Sequence, residues 1–343
     1  MDDVAKLPAT DRADLFRASA EKRGFNVVIV EKDFWVCWVL KRLFTLSQPP
    51  AGLVFKGGTS LSKVYGVIER FSEDVDLSFD RSDLGFGGEA DPLLAASKKK
   101  QQTQLKELLA ACTAMIHDAL LPQLQEAMAT ALGGTDGWRL ELDAEDEEQQ
   151  TLHFHYPPSG FASDGEGYLR PFVRLEMGAR GEPWPHEAAE VQSFAAEDFP
   201  TAFAAPSCTV NVIGAERTFW EKVTILHMWH HAGLDRHLRD RQSRHYYDVV
   251  KLYRSEVGER AFADLDLLRS VAAHKSVFFA RAWAKFDEAI PGTLRLTPAD
   301  HIRGELERDY ANMRNEMIYG DAPPLAEILA VLQEIEDRVN ASA

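Results

Sequence analysis

Cysteine is scarce in this chain. The three that occur, Cys37, Cys112 and Cys208, stand far apart, which excludes a disulfide-stapled fold and gives no zinc-ligand spacing. Long apolar runs are absent as well: no stretch approaches the roughly 20 residues of a membrane span. The opening MDDVAKLPATDRADLF has none of the basic-then-apolar grading of a secretory signal. A cytoplasmic protein without membrane contact is expected. Positive charge is in deficit, with 38 Lys and Arg against 54 Asp and Glu and a formal net charge of −16. That argues against broad nonspecific nucleic-acid binding. It leaves room for RNA on a local basic surface, because counterion release depends on the phosphates actually contacted. The 343 residues suffice for two domains and a substantial core.

What the chain does contain is concentrated between Leu53 and Asp80, LVFKGGTSLSKVYGVIERFSEDVDLSFD. Leu53-Val54-Phe55 is a short apolar run ending at Gly57-Gly58. Leu61, Val64, Tyr65 and Ile68 then follow the i, i+3, i+4, i+7 spacing of a helix packed on one face. A turn over 70–73 leads into a second strand, where Asp74 and Asp76 share one face and Val75, Leu77 and Phe79 take the other. A glycine turn at a helix start offers unpaired N–H groups and the positive end of the helix dipole to a phosphate. Two neighbouring carboxylates repel unless a cation lies between them, and hard divalent ions prefer carboxylate and phosphate oxygens. Phosphate cradle and metal site joined by one helix form the layout that holds a nucleoside triphosphate across Mg²⁺ for in-line attack on its α-phosphate.

This order of strand, Gly-Gly, helix and Asp-x-Asp resembles the DNA polymerase beta nucleotidyltransferase superfamily. The fuller wording Phe55-Lys56-Gly57-Gly58-Thr59-Ser60-Leu61 with Arg70-Phe71-Ser72-Glu73-Asp74-Val75-Asp76-Leu77 is similar to the AbiEii/AbiGii nucleotidyltransferase-like toxins of prokaryotic toxin–antitoxin and phage-defence systems. The resemblance implies a metal-dependent nucleotidyltransferase, with Mg²⁺ (or Mn²⁺) on Asp74 and Asp76 and an NTP as substrate. Gly57, Gly58, Thr59 and Ser60 would cradle its β- and γ-phosphates. It further implies a tRNA 3′ end as acceptor, so that translation stops, and a cognate antitoxin protein as partner.

Ahead of the motif, residues 10–46 read as helical with a break near Gly24-Phe25-Asn26. Glu31-Lys32-Asp33, followed by aromatics, reads as a charge cluster at a helix N-terminus, though the tract also resembles the start of longer members of the toxin family. After it, Pro92 to Leu132 is helical and closes at Gly133-Gly134. Lys98-Lys99-Lys100 on that helix is either a solvated face or an RNA contact. Strands are expected over 138–142, 151–156 and 172–177. His153 and His155 share a face but have no third zinc ligand nearby. Arg174 and Glu176 share a face too. Glu176 is therefore either an ion-pair partner of Arg174 or, by the resemblance, a third metal-facing carboxylate serving as ligand or base. A loop over 157–167, an irregular segment over 183–206 and a last strand over 208–213 complete this part.

From Glu216 onward the pattern is almost wholly helical. The expected fold is α+β: a nucleotidyltransferase-type mixed sheet flanked by helices over 1–214, then an all-helical domain over 215–343 that closes the nucleotide cleft. Phe219, Trp220, Val223 and Leu226 form a buried stripe with Lys222 at its edge, and the resemblance makes Lys222 the lysine that meets the triphosphate. His227 and His231 stand at i, i+4 as on a metalloprotease helix, but Met228 occupies the place of the glutamate, so they read as packing or surface residues. The stretch 236–254 is basic, with Arg236, Arg239, Arg241, Arg244, Lys251 and Arg254. Within it Arg244 and Asp248 read as an i, i+4 pair worth about 0.2–0.5 kcal/mol. The resemblance instead makes Asp248 functional and sets both residues on the acceptor side. Two rival readings are nucleotidylation of a protein hydroxyl and a non-catalytic nucleotide-binding module acting through partner contact. A pure binder has no need of two metal-facing carboxylates.

Overall fold

The computed structural model describes residues 1–161 and 170–342. The chain divides into two compact units, the first made of Met1–Val64 and Ser72–Val212, the second of Tyr65–Phe71 and Ile213–Ala343. The expected boundary at 214 is thus crossed once: a short piece of the motif itself belongs to the second unit.

In chain order the first unit contains α1 (Asp2–Ala5), α2 (Ala9–Arg23), α3 (Val27–Phe44), β1 (Leu53–Lys56), α4 (Gly57–Lys63), β2 (Asp74–Phe79), α5 (Lys98–Met115), α6 (Leu121–Leu132), β3 (Arg139–Leu142), β4 (Thr151–His155), β5 (Val173–Gly178), β6 (His186–Gln192), α7 (Phe194–Asp198) and β7 (Ser207–Ile213). The strands form one mixed sheet in the order β3-β4-β5-β2-β1-β7-β6. β2 lies near its middle, antiparallel to β1 and parallel to β5. A parallel neighbour requires a long crossover, and α5, α6, β3 and β4 fill it.

α3 explains why the two faces of this sheet differ. Gly24 ends α2 in the left-handed conformation, and the Asn26 side chain caps α3 by accepting from the Val28 N–H. The helix is buried nearly all round, and its Trp35 and Trp38 stack on Tyr156 and Phe154 at 5.5 and 5.6 Å between ring centroids. Because strand side chains alternate, β4 turns Leu152 and Phe154 towards α3 and sends His153 and His155 to the other face. One face is therefore apolar under α3, and the charged residues of β2, β4 and β5 share the other.

Three elements differ from the sequence reading. α4 starts at Gly57 and stops at Lys63, so Tyr65 and Ile68 lie beyond it; Gly66, at φ +60°, sits in a left-handed bend just after its end. The segment 183–206 is not irregular, since it holds β6 and α7, the latter capped by Ser193. β6, His186–Gln192, buries only Val191 and lacks apolar alternation, which is why periodicity misses it. The loop expected over 157–167 falls partly outside the described residues.

The second unit contains α8 (Ala215–His230), α9 (Ser243–Tyr253), α10 (Glu256–Ala263), α11 (Leu265–Phe278), α12 (Arg303–Glu316) and α13 (Leu325–Asn340). Tyr65–Phe71 is stitched into it by backbone hydrogen bonds: the Phe71 N–H donates to the Met317 carbonyl (2.8 Å) and the Tyr319 N–H to that of Glu69 (3.0 Å). Phe219, Trp220, Val223 and Leu226 of α8 are fully buried, as the stripe requires. No helix among the described residues is long and apolar enough to cross a membrane.

His227 is a packing residue with a fixed tautomer. Its Nδ1 accepts the Arg295 N–H at 3.1 Å, so Nε2–H donates to the Lys285 carbonyl, also at 3.1 Å. Burial, with the nearby His231, lowers its pKa from 6.5 to about 4. Above pH 6.5 the ring is neutral in both folded and unfolded chains. As pH falls from 6.5 to 4 the unfolded chain takes up a proton that the folded one refuses, and about 3 kcal/mol of stability is lost over that window. Urea unfolding of His227→Gln should show a shallower loss across that window than the parent protein; an unchanged slope would place the acid sensitivity elsewhere.

Candidate active site

Gly57 is fixed by two separate constraints. Its φ of +81° lies in the left-handed region, and a Cβ built on it would come within 1.9 Å of Asp76 Oδ2. The glycine turn therefore approaches the second carboxylate of the Asp-x-Asp strand as closely as a backbone can. Gly57→Ala should add backbone strain of about 1–2 kcal/mol and displace the Asp76 carboxylate, with a loss of transfer rate of roughly 100-fold. Rate at saturating NTP alongside melting temperature tests this; a full rate in the alanine variant would separate Gly57 from the site.

The hydroxyls beside it are engaged within the motif. The buried Thr59 Oγ1 reaches both the Asp74 carbonyl and Ser72 Oγ, the latter at 3.1 Å, and Ser60 Oγ donates to the Gly57 carbonyl at 2.9 Å. Thr59 thus ties α4 to β2 at Asp74. The expectation that this run cradles phosphates narrows accordingly, because what Gly57, Gly58, Thr59 and Ser60 leave for a phosphate is main-chain N–H.

Asp74 and Asp76 emerge half-buried on one face of β2, as the alternation demands. β5 runs alongside with Arg174 level with Asp74 and Glu176 level with Asp76. Glu176 accepts from Arg174 Nη1, and Arg174 also lies 3.5 Å from Asp143. The ion pair with Arg174 is present, and Glu176 stands level with Asp76 in the register of β2 and β5. His153 and His155 face Asp143 at 3.3 Å and Glu141 at 2.9 Å.

Among the described residues no three His, Cys, Asp or Glu side chains are gathered closely enough to hold a metal by themselves. Mg²⁺ rarely asks for such a cage; it is held by one or two carboxylates and completes its shell with water and substrate phosphate oxygens. Asp74 and Asp76 supply hard oxygen donors, and the missing Cβ of Gly57 leaves room for the Asp76 carboxylate. The donor set fits Mg²⁺ bound together with a triphosphate.

The second unit gathers Lys222 of α8 and Asp248 of α9 around Arg70. Arg70 Nε and Nη2 reach the two carboxylate oxygens of Asp248 at 2.7 Å each, and Lys222 Nζ lies 2.8 Å from Oδ2. Asp248 is fully buried, Arg70 1% exposed and Lys222 6% exposed. Burial alone would raise the Asp248 carboxyl, but the guanidinium and the ammonium hold it far below the usual carboxylate range. Burial lowers the Lys222 ammonium below its ordinary value, with Arg70 and Arg244 acting the same way against the pull of Asp248. His245 stands next to this cluster; burial and then the charges of Lys222 and Arg244 push its pKa well below 6.5, leaving it neutral.

Two expectations change here. The ammonium of Lys222 is not at an open edge of its stripe but buried against a carboxylate. Both oxygens of Asp248 are taken by Lys222 and by Arg70, which is 178 residues away in sequence, rather than by the i, i+4 neighbour Arg244. The basic stretch is also less basic than it reads. Arg236 lies 3.5 Å from Asp235, Lys251 2.6 Å from Glu69 and Arg254 2.7 Å from Glu327, whereas Arg239 is exposed. Lys98, Lys99 and Lys100 are exposed on the first turn of α5.

Sequence reasoning quoted Arg70 within the motif but gave it no role, and it read the triplet Glu31, Lys32 and Asp33 as a helix-end charge cluster. The partner of Arg70 lies too far along the chain to leave a local signal. The triplet did give one: successive helix residues step by about 100°, so three consecutive charges in a helix apolar on most sides cannot all face water. All three are buried.

The profile of a family described as "Nucleotidyl transferase AbiEii toxin, Type IV TA system" matches residues 38–334. Among solved structures the chain is similar to MenT4, a nucleotidyltransferase toxin from Mycobacterium tuberculosis H37Rv, at 17% sequence identity and a TM-score of 0.46, covering 98% of this chain and 99% of that one. No curated protein matches the sequence. The profile runs through Gly57, Asp74, Asp76, Lys222 and Asp248 and across most of the length, and the chain belongs to the AbiEii family of nucleotidyltransferase toxins of type IV toxin–antitoxin systems.

Proposed function

We propose that this chain transfers nucleotide from an NTP to the 3′ end of tRNA in a Mg²⁺-dependent reaction (Mn²⁺ being the alternative ion), acting in the cytoplasm and restrained by a cognate antitoxin. The observation that carries the reading is the placement of Asp74 and Asp76 on one face of β2 against a glycine that gives Asp76 room. Asp74 and Asp76 would hold the metal, whose chemistry when bound is to neutralise charge on the triphosphate and polarise the phosphorus under attack. Glu176, level with Asp76, is assigned to help as ligand or base once it exchanges its arginine partner. Main-chain N–H groups of Gly57, Gly58, Thr59 and Ser60 would receive phosphate oxygens. Lys222, held beside Asp248, is assigned to the triphosphate, where its ammonium would meet phosphate oxygens. Arg244 is assigned to the acceptor, and Asp248 to holding the two cations in place.

Family membership supports transfer as such, and the exposed Arg239 and Lys98–Lys100 favour an RNA acceptor. The ion pairs that neutralise Arg236, Lys251 and Arg254 favour the second reading, a protein hydroxyl as acceptor. Incubation with each α-labelled NTP and either total tRNA or total protein, with and without a chelator, decides between them. Label in tRNA that needs the divalent ion is the expected result. Label in protein would establish the rival acceptor, and metal-independent NTP binding without turnover would leave a nucleotide-binding module.

A further inference from the structure

We propose that Lys32 and Asp33 of α3 are positioning residues that hold Asp74 and Asp76 in place for transfer. Neither touches the site, and both lie ahead of residues 38–334, where the family profile matches.

Lys32 is 2% exposed and Asp33 3%. Buried charges are poor contributors to stability, because losing water offsets most of what pairing gains, and well-packed apolar side chains commonly serve stability equally well or better. Their partners point to a different use. Lys32 Nζ pairs with the carboxylate of Glu73 and donates to the Arg170 carbonyl at 2.9 Å. Asp33 Oδ1 lies 2.8 Å from Lys63 Nζ, and its Oδ2 accepts the Phe194 N–H at 2.6 Å. Lys63 is the last residue of α4, and Glu73 immediately precedes Asp74 at the start of β2.

Two adjacent residues of one helix therefore grip both ends of the stretch over which the chain leaves the first unit after Val64 and rejoins it at Ser72. Glu73 belongs to the α3 side of the sheet, so Asp74 and Asp76 must fall on the other. A strand displaced by one residue presents all its side chains to the wrong face, and here that would carry both aspartates under α3. The Lys32–Glu73 pair fixes the residue from which this alternation is counted. The Asp33–Lys63 pair fixes the far end of the helix whose first residue, Gly57, lies against Asp76. Burial opposes both charges of this pair: it raises the Asp33 carboxyl above its ordinary value against the pull of Lys63. Asp33 in turn raises the Lys63 ammonium above that of an ordinary lysine, and the 2.8 Å contact itself is what joins the two.

The inference rests on the proposed transfer reaction, so the parent protein is assayed first; absence of transfer there sinks that reaction, not the clamp. The decisive variants are the paired Lys32→Met/Glu73→Gln and Asp33→Asn/Lys63→Met, which remove both charges of a pair while the amides keep a hydrogen-bonding oxygen, the one replacing Asp33 keeping the acceptor for the Phe194 N–H. They should melt near the parent temperature while kcat falls roughly 10- to 100-fold, with KM for NTP little changed and a higher divalent concentration needed for half-maximal rate. Parent kcat in paired variants of parent stability would overturn the proposal. If the paired variants do not fold, Lys32→Arg and Asp33→Glu keep each charge while altering its reach. They should fold and lose kcat, and parent kcat in both would overturn it equally.

Discussion

Asp76→Ala should give a folded protein whose transfer rate is below about one thousandth of the parent rate, the scale of losing a preorganised electrostatic catalytic group. The loss is expected in kcat and to resist added Mg²⁺, since one carboxylate of the metal-facing pair is gone. Stability should move by no more than about 0.5 kcal/mol. Asp76 is half-buried, and its removal relieves repulsion with Asp74 rather than breaking a pair. Single-turnover transfer with labelled NTP, read beside thermal unfolding, tests both halves. Retained turnover would remove Asp76 from the metal assignment.

Asp248→Asn should be the most destabilising of the site substitutions, at about 3–5 kcal/mol by urea unfolding at pH 7. It keeps the shape of the side chain but removes the buried carboxylate that both Arg70 and Lys222 meet. Lys222→Met should cost only about 1 kcal/mol or less, because the bidentate Arg70–Asp248 pair is kept intact. Transfer should nevertheless fall in both. The asymmetry has a pH signature. Asp248 is held far below the ordinary carboxylate value, so its contribution is complete above that value and is lost as pH falls towards its folded pKa. The gap between parent and Asp248→Asn should therefore narrow in acid. Equal losses from the two substitutions would overturn the reading of one carboxylate shared by two cations.

The half of the site on β1, α4 and β2 was legible because its signals are local. A glycine pair, an apolar run and a period of two identify the turn, the strands and the common face of Asp74 and Asp76. Lys222 and Asp248 were legible only by resemblance, and what they do to each other was not. Asp248 looks in sequence like half of an i, i+4 pair with Arg244, and the arginine it meets comes from the far side of the chain, a contact that leaves no periodic trace. α3 shows the opposite failure. Its apolar character was plain, but a buried charge and a helix-end charge look alike until their partners are known. β6 escaped because an edge strand that buries one residue has no alternation to display.

The excursion of Tyr65–Phe71 into the second unit bears on how such toxins can be recombined. Neither unit is a continuous length of chain. A crossover at residue 214 between two related genes would transmit Lys222 and Asp248 from one parent and Arg70 from the other, and the hybrid would fold its helical part only where the inherited guanidinium suited the inherited carboxylate. The two parts are therefore not expected to exchange as separate cassettes, because residues 65–71 fold with the helices beyond 213 while the whole of the sheet's crossover is encoded between them.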